Sequence, residues 1–410
     1  MSELRVCAIT YDYYPFDVLV RRTAEAAASA GYTSHVICLM EPGQKKYEVC
    51  NGVHVHRIEM YRGFGRSLPH TILEWTIFML RAAAKVTRLH LKEKYDVVHV
   101  HNMPDFLVFS AIVPKILGAR VILEVQDVSP ELMAAKAKGR LHGLILRIAM
   151  WQEHISAAFV DHVITVGWPF EQLLLKRGIP PKKLTSILNS ADPRLYPVTQ
   201  RTEPLMETPT AERPLILMYH GTVAERNGLD IAIRAFAKAR QTTPYLRLDI
   251  KGRGEAIPRL KQLAQALGVG DHVIFTDPCP SDELVDFVTH GDIGIIPYRS
   301  DGFMDLVLPT KAYEFALMHR PMIASETPAI RSMFRPESLI LCEPSNVERF
   351  ADAIVDLYQH PEKRALLVAN AEQDYMPYRW EIMAERYQRL LASLVTKGNA
   401  ERKRVAAEVM

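Results

Sequence analysis

With 410 residues, 48% hydrophobic content and a net charge of +3, the chain has room for two domains with large cores and is too evenly charged for a whole-protein nucleic-acid binder. Five scattered cysteines, Cys7, Cys38, Cys50, Cys279 and Cys342, form no CxxC pair, which argues for a reducing cytosol and against a structural zinc. Residues 1–6 lack the layout of a signal peptide, and no apolar run reaches about 18 residues, so a cytoplasmic protein without a membrane span is expected.

Residues 5–10 form a short apolar run that reads as a buried parallel strand. Residues 11–17 break it, residues 18–30 read as a helix ended by Gly31, and residues 34–40 form the next strand. Strand, helix, strand is the opening of a doubly wound α/β domain, yet GxGxxG is absent from its first turn, which argues against a standard NAD-binding domain. Asn51-Gly52 between β-rich arms predicts a hairpin. Residues 71–92 read as a helix whose Arg81, Lys85, Arg88 and Lys92 form either a solvated face or a surface resting on anionic lipid. Strands at 96–101 and 119–125 end in polar loops. In open α/β sheets ligands bind beyond the carboxyl ends of strands, so Asp17, His101, Asp105, Gln126 and Asp127 are expected to share one pocket edge. Residues 162–166 give one more strand, and a helix follows from Pro169 to Gly178. The proline-rich stretch 197–214 is expected to link two domains.

The pattern then restarts. A strand at 215–219 leads into the glycine-bounded loop 220–228, where Arg226 can meet a phosphate bidentately. A strand at 246–250 ends in Lys251-Gly252-Arg253-Gly254, another loop that permits close approach of a ligand. Strands at 273–275 and 293–296 follow. Between the latter and a strand at 321–324 lies Leu308-Pro309-Thr310-Lys311-Ala312-Tyr313-Glu314, read as a loop opening a helix. Pro309 suits the helix start and Thr310 can cap it. The free N–H groups and Lys311 favour an anion, and Glu314 one turn in can accept from a vicinal diol. Alone, this is equally a capped surface helix with Glu314 stabilising its first turn. Three phosphate-facing loops on one edge are a stronger signal than any one of them. Residues 381–395 form a last helix, and the tail from 396 is expected to be mobile.

Residues 14–22, 96–101, 160–166, 220–228, 251–254 and Pro309-Thr310-Lys311-x-x-Glu314 together resemble the retaining glycosyltransferases of family 4, from Val6 to about Leu394. The resemblance implies an α/β GT-B fold, two Rossmann-like domains facing across a cleft: residues 1–196 for the acceptor, a linker at 197–214, residues 215–377 for a nucleoside-diphosphate sugar, a helix at 378–395 returning to the first domain, and a tail at 396–410. It implies no metal and no tightly bound cofactor, with a UDP- or GDP-sugar as donor and a glycan or lipid-linked acceptor. Glu314 would hold the ribose. Arg226, Lys311 and backbone donors near Pro309 and Thr310 would neutralise the diphosphate. Gly221, Thr222, Gly252 and Gly254 would line the donor, with Thr276 and Pro278 near the base. Asp17, Arg21, His101, Asp105, Gln126 and Asp127 would face the acceptor, and the departing phosphate would help deprotonate its hydroxyl.

Three positions depart from the family pattern. Leu306 stands where a second glutamate is usual, with Asp305 and Asp301 off the spacing. Gln126 replaces a histidine, and Thr222 and Asn227 replace an Arg and a Lys. An epimerase of the same architecture, or a nucleotide-sugar-binding subunit that has lost its chemistry, fits the same motifs.

Overall fold

Strands and helices alternate almost throughout the computed structural model, which describes residues 4–63, 68–136, 142–197, 206–279 and 283–409. The chain divides into two compact units, one of Met1–Asn189 with Glu381–Met410 and one of Ser190–Trp380. Part of the expected linker, residues 198–205, lies outside the described residues.

The first unit carries β1 (Arg5–Tyr13), β2 (Thr33–Leu39), β3 (Tyr47–Cys50), β4 (Val53–Ile58), β5 (Val97–His101), β6 (Arg120–Val125), β7 (His162–Thr165) and β8 (Leu184–Ser186). Their order in one sheet is β3-β4-β2-β1-β5-β6-β7-β8. Only the β3–β4 pair is antiparallel among these strands. Its turn is the expected hairpin: Asn51 and Gly52 both have positive φ (49° and 78°), which suits the right-handed twist of the arms. The parallel strands need crossovers, and helices supply them. Helix Leu68–Glu93 buries Phe78, Ala82, Val86 and His90, one residue per turn, against the unit. The strand order reverses between β1 and β5, so the end of β5 is a topological switch point.

The second unit carries β9 (Leu215–His220), β10 (Leu246–Lys251), β11 (Val273–Thr276), β12 (Ile293–Ile296), β13 (Met322–Ser325) and β14 (Ile340–Cys342), in the order β11-β10-β9-β12-β13-β14 and wholly parallel. Its switch point lies between β9 and β12. Helix Thr310–Leu317 packs flat on β12, because a Cβ at Gly294 would lie 2.3 Å from the Phe315 ring. The last helix runs over Trp380–Val409. It belongs with the first unit from Glu381 onward and holds there through Gln388 Nε2, which donates to Ala26 O at 2.8 Å. It continues through the tail expected to be mobile, where Ala, Glu, Arg and Lys are strong helix formers.

Candidate active site

In the second unit the switch point brings together Tyr219 and His220 at the end of β9, Tyr298 just beyond β12, and the start of helix Thr310–Leu317. Thr310 does not cap that helix, contrary to expectation. Pro309 occupies the N-cap with extended backbone (φ −70°, ψ 130°), and Thr310 is already helical. Proline has no side-chain acceptor, so the first-turn N–H groups have no side-chain cap.

Lys311 sits in this helix start with 6% of its surface exposed. Its Nζ donates to Tyr298 Oη at 2.7 Å and lies 4.7 Å and 5.0 Å from the ring centres of Tyr219 and Tyr298. Burial pushes its pKa down, but the two phenols and Glu314 outweigh it, so the net shift is upward and the ammonium stays charged. Gly221 (φ 113°) borders that charge, since a Cβ there would lie 3.7 Å from Nζ. Glu314 Oε2 lies 3.0 Å from His220 Nε2. Tyr219, His220 and Tyr298 escaped the sequence reading. Applying the strand-end rule to β9 and β12 as it was applied to the first half would have found them.

Arg226 stands in the turn Glu225–Asn227 with an exposed side chain, its guanidinium carbon 5.7 Å from the centre of the Phe303 ring. Arg299 N donates to Arg226 O at 3.1 Å, and Arg299 Nη2 donates to both carboxylate oxygens of Asp230 at 2.7 and 2.9 Å, so the turn is braced beneath Arg226. Asn227 is buried and accepts from Ala224 N at 3.2 Å, so it shapes the loop instead of meeting a phosphate.

Gly252 and Gly254 have a packing reason of their own. A Cβ at Gly252 would lie 1.9 Å from Gly221 O, and one at Gly254 would lie 2.1 Å from Val223 O. These glycines admit neighbouring backbone, and no ligand is needed to explain them. Gly221 N donates to Lys251 O (2.9 Å), Val223 N to Arg253 O (2.9 Å) and Gly252 N to Thr276 O (3.0 Å), which ties the three loops together. Thr222, Thr276, Pro278 and Thr310 are exposed on these loops, and Pro309 is buried. The two acidic residues near Leu306 each engage one carboxylate oxygen locally. Asp301 Oδ1 accepts from Phe303 N (2.8 Å) and Met304 N (2.7 Å), and Asp305 Oδ2 accepts from Ser300 Oγ at 3.0 Å.

In the first unit the expected edge divides into structural and site-facing residues. Asp17 caps helix Val18–Ser29, with Oδ1 accepting from Leu19 N (2.9 Å) and Val20 N (3.3 Å). Burial, then Asp12, raises its pKa to about 6. Arg21 is half-buried on the next turn of that helix. Asp105 is buried, accepts from Asn102 Nδ2 (2.8 Å) and Ser129 Oγ (3.1 Å), and is pushed up in pKa by burial. A carboxylate so occupied braces the loops instead of meeting an acceptor. Asn102, unflagged in the sequence, is the hub. Its Oδ1 accepts from Gln126 N (2.8 Å) and Asp127 N (3.3 Å), and its Nδ2 also donates to Asp127 O (2.7 Å). His101 is fully buried, which lowers its pKa to about 3, and Gln126 Nε2 lies 3.1 Å from its Nδ1. Gln126 and Asp127 are half-buried, as are Asp17 and Arg21, so these polar residues of the edge stay partly accessible. The basic helix is real, but Arg81 Nη1 is tied to Glu59 O at 2.9 Å.

Two doubly wound, mainly parallel-sheet units, one with a buried cation and a helix start without a side-chain cap at its switch point, define an α/β protein of the GT-B type. The chain belongs to the group 1 glycosyltransferases: residues 201–374 match the family described as glycosyl transferases group 1, and residues 17–190 match the glycosyl transferase 4-like domain. It is 26% identical to the D-inositol 3-phosphate glycosyltransferase of Acidothermus cellulolyticus over 339 residues, 78% of this chain and 70% of that protein. Over 188 residues (44% of this chain and 48% of the relative) it is 26% identical to the GDP-mannose-dependent alpha-(1-6)-phosphatidylinositol monomannoside mannosyltransferase of Mycolicibacterium smegmatis. Among solved structures, sucrose-phosphate synthase from Thermosynechococcus elongatus superposes with TM-score 0.74 at 18% identity, covering 96% of this chain and all of that one. Anabaena Alr3699/HepE in complex with UDP and glucose gives 0.70 at 14% identity, covering 95% and 100%. These neighbours share the GT-B fold. No described helix is long and apolar enough to cross a membrane.

Proposed function

We propose that the chain is a retaining glycosyltransferase that moves a sugar from a UDP- or GDP-sugar to a hydroxyl of a glycan, a lipid-linked saccharide or a phosphorylated polyol. The carrying observation is the buried, charged Lys311 at an uncapped helix start, with Gly221 beside its ammonium. Breaking the glycosidic bond places negative charge on the departing diphosphate. Fixed positive groups that need no rearrangement stabilise that charge most effectively. Lys311, Arg226 and the first-turn N–H groups are such groups, and all belong to the protein, so no divalent ion is required. Glu314 holds the ribose, oriented by His220 at 3.0 Å. The departing phosphate takes the acceptor's proton on the same face.

Two relatives support this choice of acceptors: one is named for D-inositol 3-phosphate, the other for a phosphatidylinositol mannoside with GDP-mannose as donor. Calorimetry with UDP, GDP, ADP and dTDP tests the donor site. One nucleotide is expected to bind, equally well in EDTA, and Glu314→Ala should weaken it about 10- to 100-fold through loss of charge-assisted hydrogen bonds. Binding of none at millimolar concentration, or binding abolished by EDTA, would refute this reading.

Contact with a membrane surface belongs to the same proposal. Helix Leu68–Glu93 exposes Leu73 (56%) and Leu80 (60%) with Arg81 and Arg88, an apolar strip edged by basic groups. Vesicles containing a third phosphatidylserine should pull down the protein, and the double change Leu73→Glu, Leu80→Glu should abolish this. Equal sedimentation of both proteins would remove the helix from the account.

A further inference from the structure

Behind the acceptor edge of the first unit lies a buried polar network reaching to the far end of the chain. β5 and β6 are in register with His101 opposite Glu124, so His99, His101 and Glu124 point to one face of the sheet. All three are buried. Tyr387, fully buried on the last helix, places its Oη 2.9 Å from His99 Nδ1. On the other side of the ring, His99 Nε2 faces Glu124 Oε2 at 3.0 Å. With the proton on Nε2, towards the carboxylate, Nδ1 accepts from the Tyr387 hydroxyl. Burial raises the Tyr387 pKa, which keeps that hydroxyl a donor, and lowers the His99 pKa to about 3, which keeps the ring neutral.

The network ends at Gln126. Its Nε2 lies 3.1 Å from His101 Nδ1 and 3.3 Å from Glu124 Oε1. Glu124 Oε1 accepts from an amide N–H, and a flip would set the carbonyl against that oxygen, so the NH2 group faces the network. Among the described residues Oε1 is the amide atom left for a ligand.

We infer that Tyr387 is a positioning residue: through His99 and Glu124 it locks the Gln126 amide so that its carbonyl oxygen, and not its NH2 group, meets a hydroxyl of the acceptor. This rests on the acceptor-side reading of the first unit given above. It makes the last helix part of the acceptor site's wiring, 288 residues along the chain from His99. The donor atoms of His99, His101 and Glu124 also lie within 4.8 Å of one another, a spacing that suits a divalent cation. Gln126 already occupies His101 Nδ1, which favours the hydrogen-bonded arrangement.

Nitrogen-15 NMR of histidine and glutamine side chains tests the network without any substrate. Wild-type His99 is expected as the Nε2–H tautomer, with Gln126 amide protons slow to exchange. Tyr387→Phe should speed that exchange and shift His99 Nδ1 while the melting temperature stays close to wild type. An Nδ1–H tautomer, Gln126 resonances unmoved by the substitution, or stoichiometric zinc in the purified protein would each overturn the inference. A kinetic arm uses D-inositol 3-phosphate as acceptor with saturating donor. Tyr387→Phe should raise the acceptor KM about 3- to 10-fold, as for one lost hydrogen bond, with kcat and donor KM little changed. It should have no further effect in a Gln126→Ala background. Independent effects in the two backgrounds would also overturn it. Absence of transfer to this probe would count against the acceptor class and leave the network to the NMR arm.

Discussion

Lys311→Met is expected to lower turnover by about 100- to 1000-fold, the loss typical of removing one preorganised stabiliser of transition-state charge. Methionine keeps the length of the side chain, so the effect isolates the charge. The size follows from the setting. A solvated lysine would be screened, whereas Lys311 is 6% exposed and its ammonium is held by Tyr298 and two aromatic faces. Lys311→Arg should rescue poorly, because rings 4.7 and 5.0 Å from Nζ leave no room for a planar fork. Arg226→Ala should cost less, about 10-fold, since that side chain is exposed. Steady-state turnover with the nucleotide sugar chosen by calorimetry is the measurement. Turnover of Lys311→Met within threefold of wild type, with unchanged melting, would remove the ammonium from the chemistry.

The contrast between Lys311 and Thr310 shows what was legible in the sequence. Pro309, Lys311 and Glu314 lie within about a turn and a half, so local rules place them at a helix start regardless of tertiary context. The cap was misassigned because Pro309 and Thr310 both suit a helix start, and the choice depends on backbone angles that composition does not fix. The strands were legible for a similar reason: β5 is five consecutive buried residues and β12 four. β8 and β14, three residues each, were too short to register and owe their pairing to neighbours. The polar edge of the first unit was visible as a set, but its division of labour was not. Asp17 and Asp105 look in sequence like any strand-end carboxylate. Only their donors, Leu19 N and Val20 N for one and Asn102 and Ser129 for the other, identify them as braces. Partners distant in sequence, such as Tyr387 on His99, leave no local trace at all.

Gly252→Ala is expected to destabilise the second unit by about 3 kcal/mol or more, in the range of severe overpacking. The new methyl would sit 1.9 Å from Gly221 O and 3.0 Å from Gly221 C, and both are backbone atoms that no rotamer change can move aside. Relief requires β10's loop to withdraw from β9's. That strains the hydrogen bonds from Gly221 N to Lys251 O and from Gly252 N to Thr276 O. A loss of this size lowers the melting temperature by about 6–12 °C for a unit of this length. Gly302→Ala is the matched control: a Cβ there meets nothing within 4 Å, so the change should be neutral within about 0.5 kcal/mol. Equal melting temperatures for the two variants would show that the loops are not packed as described. The functional consequence reaches past stability. Gly221 borders the Lys311 ammonium, so a displaced 221 loop unseats one wall of the anion site. Nucleotide affinity in Gly252→Ala should therefore fall even well below its melting temperature, while the Gly302→Ala control binds as wild type. Loss of stability with unchanged nucleotide affinity would separate the glycine-packed loops from the site they are placed beside.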